Sequence, residues 1–530
     1  MSLARNTLVQ ATLTLGSRVL GFARDLALAG RFGQGPLMDI WATAIMVPNL
    51  FRRLFAEGAF AQAFVPVYGK INTEDGEAAA AQAAAQTLTF MLVAVAGFCL
   101  LAQILMPWIM PLLLSAYIDD PAILRTATVA TQLAMPYLAC MSVAALLSGV
   151  LNTSGRFGLS AGVPILLNIC TLAALAIPGL PSERALLLTA AAVTLSGVLQ
   201  AALLWWGLER MGVQLRLGRP QLTPVVRRVL TLAVPGAVAG GALQMSSLVS
   251  QVLTGSDPGA RSVLYNADRL YQLPLGLVGV AIGLALVPRL TRSFVTGDHE
   301  GGRRTLDDGI ALAMAFTLPA AVALVVAPFF IVDATVTRGA FTSEDAERTA
   351  TVLKQFAWGV PAFVLAKVFT PPFFARQDMR RPMNFAFVTV AINIVLGAAL
   401  FFGLGRLGYD GVIGLAVATS LAAWVNVALL AGTLAREGTY RPGRAVISRL
   451  LRIGAASGIM AAVLGGLALI YPQLREWLLS KEIAVLVACV VGFVVYGAAV
   501  LLLRAVTPAE LKGALRRERG APALPAGPEL

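Results

Sequence analysis

The sequence predicts an all-α polytopic membrane protein of about fourteen transmembrane helices, and three observations carry that prediction. Apolar residues make up 58% of the 530 and charged residues only 13%, with a mean hydropathy of +0.77. Windows of about 20 residues with almost no charge recur along the whole length, each long enough to cross a bilayer's hydrocarbon core. Basic residues gather in every second loop between them, the positive-inside pattern. Lipid-exposed backbone must satisfy its own hydrogen bonds, so each window is expected to be a helix.

In chain order, window 7–30 ends at the Gly33–Pro36 turn and 36–66 follows, with Pro48 interrupting its helix four residues before Arg52. Windows 83–112 and 122–150 flank a loop carrying Asp119 and Asp120. Then come 158–178 and 185–207, closed by Arg210, Arg216, Arg219, Arg227 and Arg228. Windows 225–253 and 261–288 lead to Arg289, Arg292, Arg303 and Arg304. Window 306–330 precedes an acidic loop (Asp333, Glu344, Asp345, Glu347), and 348–374 precedes Arg376, Arg380 and Arg381. Windows 383–403 and 410–434 end at Arg436, Arg441, Arg444, Arg449 and Arg452. The last two, 446–470 and 482–504, run into a tail with Lys512, Arg516, Arg517 and Arg519. This alternation places both termini in the cytoplasm and suits an even number of spans.

A weak internal repeat runs at a spacing of about 222–225 residues. Phe64-Val65-Pro66 through Lys70 falls against Leu286-Val287-Pro288 through Arg292, Gln132-Leu133-Ala134 against Gln355-Phe356-Ala357, and Asn168 against Asn393. Six spans per half give lobes at 1–220 and 221–440 in the same orientation, related about an axis along the membrane normal, with a central cleft between them. A final helix pair occupies 441–506 and a cytoplasmic tail 507–530. In that pair Gly454, Gly458, Ala462 and Gly466 recur at four-residue spacing, which allows close helix packing; the pair either buttresses the bundle or forms an apolar surface that holds something greasy.

The functional signal is charge inside apolar helices. Arg18, Arg24 and Asp25 lie in the first window; Asp39, Arg52, Arg53 and Glu57 in the second; Asp268 and Arg269 in 261–288; Lys367 in 348–374. A charge near mid-bilayer costs about 2.5–3.5 kcal/mol on insertion scales, so such residues are expected to line a polar cavity. Arg18 and Asp25 share a helix face, Gly16 and Gly21 offer places to bend, and Arg53 and Glu57 stand at i and i+4 as an ion pair. Asp25 is expected to neutralise Arg18 or join a local network, and Asp39 to orient an arginine or gate the cavity. The surplus is positive, and arginine's fork of donors suits phosphate or carboxylate, so a multiply charged anion such as a pyrophosphate fits.

Several classes are excluded. The +13 net charge is explained by topology, so no nucleic-acid partner is expected. Arg18 and Arg24 break what would be a signal-peptide core. Cys99, Cys140, Cys170 and Cys489 show no metal-ligand spacing, and His299 is the only histidine. No GxxxxGK[ST] loop occurs, and the short loops carry no paired carboxylates, so neither a cofactor nor a catalytic residue is expected.

Four runs now carry a resemblance: SRVLGFARD (17–25), PNLFRRLFAEGAFAQAFVP (48–66), NADRLYQLPLGLVGVAIG (266–283) and KVFTPPFFARQDMRRP (367–382). Together they closely resemble the MurJ/MviN family of bacterial lipid II flippases, within the multidrug/oligosaccharidyl-lipid/polysaccharide exporter group. The resemblance spans about residues 5–505. It implies fourteen spans, two six-helix lobes around a cationic cavity, and a final helix pair forming a groove for the polyprenyl tail. It implies as substrate lipid II, the undecaprenyl-pyrophosphate-linked disaccharide-pentapeptide, crossing the bacterial inner membrane for peptidoglycan synthesis. Arg18, Arg24, Asp39, Arg52 and Arg269 match charges considered functional in the family, whereas Gln272 stands where relatives can have an acid. Some members bind sodium in the second lobe; no ligand set matches here, which leaves a coupling ion open. The alternative is a related exporter of another lipid-linked oligosaccharide, a drug or a solute.

Overall fold

A computed structural model describes residues 3–54, 60–154, 157–295, 298–376, 378–478 and 480–505, for some of these the backbone alone. All regular elements among them are helices. In order these are α1 (Leu3–Phe32), α2 (Pro36–Leu54), α3 (Phe60–Glu74), α4 (Glu77–Leu113), α5 (Pro121–Ala134), α6 (Tyr137–Thr153) and α7 (Phe157–Gly162). Next are α8 (Pro164–Leu175), α9 (Ser182–Glu209), α10 (Pro224–Thr254), α11 (Ala260–Val295), α12 (His299–Val326), α13 (Pro328–Val336) and α14 (Ser343–Ala357). The chain closes with α15 (Val360–Phe369), α16 (Pro371–Ala375), α17 (Arg380–Arg406), α18 (Gly411–Arg436), α19 (Arg444–Leu469), α20 (Tyr471–Trp477) and α21 (Lys481–Leu502).

Among the described residues, ten helices, some broken by a turn, are long and apolar enough to cross a membrane. The four remaining predicted windows coincide with α1, with α2 and α3, with α10 and with α11. Loop residues start several helices. Asp120 Oδ1 accepts the Ala122 and Ile123 amides ahead of α5, and Asp298 Oδ1 accepts Gly301 N ahead of α12. Hydroxyls inside the apolar helices bond back to their own carbonyls, as Thr87, Thr131, Thr189 and Thr317 do.

One expectation about breaks is corrected: α2 runs as helix through Pro48 to Leu54. α1 is continuous helix through Gly16 and Gly21. A Cβ on Gly21 would stand in ordinary van der Waals contact with the Asn168 side chain, at 3.6 Å.

The described residues form two compact units. The first draws on Met1–Arg269, Thr335–Val352 and Ala386–Ala418; the second on Leu270–Ala334, Leu353–Phe385 and Thr419–Leu530. These units follow packing rather than the lobes at 1–220 and 221–440, and the first takes residues from both. Its apolar core includes Leu88, Leu146, Leu147, Val150 and Leu204, with a second cluster around Trp41, Met106, Met110 and Leu186. Within it, Ala116 N donates to Gly255 O and Ala340 N to Gly30 O, both at 2.8 Å. Gly30 and Gly255, and likewise Ala116 and Ala340, are separated by the repeat spacing. The two bonds are therefore equivalents under the internal repeat, each joining one half of the sequence to the other.

The second unit packs Val364, Val368, Phe373, Leu430 and Leu434 into one cluster and Phe330, Met460, Leu464 and Tyr471 into another. There α19 packs against α12 and α21. The small-residue stripe of α19 does not make that contact: nothing lies within 4 Å of a Cβ built on Gly454, Gly458 or Gly466. Its buried face is Ile453, Ala456, Ser457, Met460 and Leu464, and the close approach comes from Gly492 on α21, whose Cβ would meet Leu464 at 3.2 Å. Across both units large apolar side chains point outward, among them Trp108, Val395 and Phe493, each at least 70% exposed, as lipid-facing surface requires.

Close helix packing in the first unit rests on Gly197 of α9, where a Cβ would come within 2.8 Å of both Tyr137 and Cys140 on α6. Gly197→Ala is expected to destabilise the protein by about 1–3 kcal/mol through overpacking. Gly454→Ala, facing open space, is expected to change stability by less than about 0.5 kcal/mol. Thermal unfolding of the two purified variants in detergent checks the contrast.

Candidate functional site

Two sequence-predicted arginines converge on one carboxylate in the first unit. Arg24 donates to Asp25 Oδ1 from Nε at 3.1 Å and from Nη2 at 2.8 Å. Arg269, from the first turns of α11, places Nε 3.9 Å from Asp25 Oδ2. The Tyr265 hydroxyl donates to Asp25 Oδ1 at 3.0 Å, and the Arg269 guanidinium lies over the Tyr265 ring, 4.8 Å from its centroid. Arg24 Nη1 donates to Asn168 Oδ1 at 3.0 Å, and Asn168 Nδ2 in turn donates to the Ser17 carbonyl at 2.9 Å. Three helices, α1, α8 and α11, thus meet at one polar node inside apolar sequence.

Two guanidinium groups share the Asp25 carboxylate at this node, with Asp268 adjoining Arg269 on α11. Arg24 is spent on Asp25 and Asn168. Arg269 is not, since its Nε is buried and has no hydrogen-bond acceptor. Arg18 is exposed on α1 and makes no ion pair among the described residues, so Asp25 neutralises Arg24 and Arg269 rather than Arg18. The Arg269 guanidinium, about a third exposed, and the exposed Arg18 are the arginines here with capacity left for an anion.

Asp39 stands apart from this node and is 1% exposed. Its Oδ2 accepts the Tyr117 hydroxyl at 2.7 Å and Gly259 N at 2.8 Å, and its Oδ1 accepts Ser262 N at 2.8 Å. It therefore caps the N-terminus of α11 from α2, where a negative charge is favoured by the free amides and the helix dipole. Beside it the fully buried Arg261 donates to Thr43 Oγ1, to the Gln251 carbonyl and, at 2.6 Å, to the Leu113 carbonyl. The arginine near Asp39 is thus Arg261, held by neutral oxygens.

The other predicted residues fall elsewhere. Arg52 and Arg53 lie on the helical backbone of α2 with side chains outside the description, and Glu57 lies outside the described residues, so their pairing is not seen. Asp268 is half-buried on α11 beside Arg269. Lys367 is exposed on α15 in the second unit. No group of three or more His, Cys, Asp or Glu is placed to hold a metal ion among the described residues. Sequence reasoning missed Tyr265, Tyr117 and Arg261, and singled out Asn168 only as a repeat match. The available signal for Tyr265 was its spacing, one turn before Arg269.

Asp25→Ala strips both Arg24 and Arg269 of their counter-charge and is expected to cost about 3 kcal/mol. Tyr117→Phe removes one bond to the buried Asp39 carboxylate and is expected to cost about 1.5–3 kcal/mol. Thermal unfolding in detergent measures both.

Comparison with known proteins places this geometry. The family model described as "Lipid II flippase MurJ" matches residues 28–488. The probable lipid II flippase MurJ of Rhizobium meliloti (strain 1021) is 36% identical over 468 residues, 88% of this chain and 86% of that protein. That of Rhizobium tropici is 34% identical over 534 residues, covering 99% and 98%. The lipid II flippase MurJ of Burkholderia cenocepacia is 30% identical, covering 93% and 96%. Among solved structures, lipid II flippase MurJ in an inward closed conformation has a TM-score of 0.75 at 22% identity, covering 93% and 98%. An inward-facing MATE family transporter of the MOP superfamily has a TM-score of 0.64 at 11% identity, covering 82% and 98%. The structural likenesses establish the fold, a multi-pass helical membrane transporter fold, and the sequence matches establish the family: the chain belongs to the MurJ family of lipid II flippases.

Proposed function

We propose that this chain moves lipid II, the undecaprenyl-pyrophosphate-linked peptidoglycan precursor, from the cytoplasmic to the periplasmic leaflet of the bacterial inner membrane. Family membership supports the substrate. The observation that carries the chemistry is Arg269, whose buried Nε has no acceptor although Asp25 lies beside it. A pyrophosphate oxygen supplies that acceptor, and its charge adds to the one Asp25 carboxylate that the two guanidinium groups share.

In this proposal Arg18 and Arg269 contact the pyrophosphate directly, with Arg52, Arg53 and Lys367 completing a cationic central cavity. Arg24 holds Asp25, which keeps Arg269 in place, and Asp268 and Glu57 belong to the supporting charge network. Six-helix lobes at 1–220 and 221–440 rock about the cavity by alternating access. The polyprenyl tail stays in lipid or along the pair at 441–506, where the glycine face of α19 makes no close helix contact. Both termini lie in the cytoplasm. The membrane potential is worth about 2.3 kcal/mol per charge per 100 mV, enough to bias an empty cationic carrier back toward the inside, with or without a coupling ion. The chain moves its substrate without breaking or forming covalent bonds in it.

Alanine at Arg18, Arg24, Arg52 or Arg269 is expected to abolish growth of cells depleted of their own flippase, while the unmodified chain supports it. Normal growth on the variants alone removes the proposal. In vesicles, labelled lipid II is expected to flip, and polyprenyl-linked sugars of other structure to flip poorly; the reverse preference identifies a different exporter.

A further inference from the structure

Apart from the charged node, the first unit contains an arginine that ties the turn at 257–258 to the start of α18. Arg348, on α14, donates from Nε to Asp410 Oδ2 at 2.6 Å and from Nη2 to Asp257 Oδ2 at 2.9 Å. Its Nη1 donates to the Pro258 carbonyl at 3.1 Å. Asp410 uses its other oxygen to accept Val412 N at 2.9 Å at the start of α18. Asp257 and Pro258 form the turn between α10 and α11, and the next residue, Gly259, has φ +76°. Glycine is needed there twice over. Its backbone is left-handed, and a Cβ would lie 3.1 Å from Arg348 Nη1.

The same turn presents the Gly259 and Ser262 amides to Asp39. It is thus gripped by Arg348 on one side and by Asp39 on the other. Asp39 belongs to the first half of the repeat, and Gly259, Ser262, Arg348 and Asp410 to the second. The repeat equivalent of Arg348 is Arg125, which is exposed and makes no ion pair among the described residues. Among the described residues the grip exists in one half only.

We propose that Arg348 is a positioning residue for transport: it holds the 257–259 turn so that the Gly259 and Ser262 amides meet Asp39, and so sets how readily that contact between the halves opens during the cycle. The second clause rests on the alternating-access proposal; the first does not. Neutralising Arg348 leaves Asp257 facing Asp410, with Asp39 and Tyr117 behind Gly259. Burial, and then Asp410, hold the Asp257 carboxyl above its ordinary value even though Arg348 draws it down. Without Arg348 that carboxyl takes up a proton at still higher pH, and its protonation removes the repulsion. The defect is therefore present at high pH and fades as pH falls.

Hydrogen exchange at the Gly259 and Ser262 amides of the full chain, in lipid nanodiscs without substrate, tests the grip. Arg348→Gln is expected to speed exchange about tenfold at about pH 7.5, and less at about pH 5.5 after correction for intrinsic exchange rates. Adding Asp257→Asn is expected to remove the pH dependence, Arg348→Lys to restore slower exchange, and Arg125→Gln to match the unmodified chain. Lipid II flipping by Arg348→Gln is expected to rise as pH falls over the same range, while the unmodified chain stays flat. Exchange and flipping unchanged by Arg348→Gln, or altered equally at both pH values, overturn the inference. If Arg348→Gln does not fold, Arg348→Lys and the double variant carry the same comparison. Failure of the unmodified chain to flip lipid II removes the proposed function and leaves the exchange result standing.

Discussion

The position of α11 depends on one buried carboxylate, and the site depends on α11. Asp39 binds the first amides of that helix, at Gly259 and Ser262. This fixes where the helix starts and hence which way its next two turns face. Tyr265 and Arg269 follow at intervals of three and four residues, and both reach Asp25 on α1. A carboxylate that takes no direct part in the arginine node therefore determines its composition. Its burial is tolerable because every bond it makes is to a donor fixed by the backbone or by Tyr117.

Much of this was legible in the sequence, and for a definite reason. Charges are so expensive in an apolar helix that Arg24, Asp25 and Arg269 announce themselves by composition alone. Their partners do not. Asn168 and Tyr265 are ordinary polar residues, 144 and about 240 positions away from the α1 residues they bind, and nothing local marks the contact. Asp39 was legible as important but not in its role. A helix cap supplied by a different helix leaves no sequence signature of the kind that a cap within one segment does. Arg261 and Arg348 drew no attention in the sequence, because each stands at the edge of an apolar window, and a buried structural arginine and a topological one look alike there until their acceptors are known.

The glycines teach a similar distinction. Regular spacing made the α19 stripe conspicuous, yet the tight contacts lie at Gly197 and Gly492, which stand in no pattern. A repeated small residue records a smooth surface, and only the opposing helix decides whether that surface is covered. On α19 no described residue covers Gly454, Gly458 or Gly466, which leaves the smoothness to a flexible chain of the surrounding lipid.

The paired main-chain bonds between Ala116 and Gly255 and between Ala340 and Gly30 bear on how a protein of this kind can change over time. A bond between an amide and a carbonyl is indifferent to the side chains that flank it. Duplicated halves joined in this way can diverge almost freely in sequence while their mutual geometry persists. Such a history leaves a repeat that is faint to read and plain to measure.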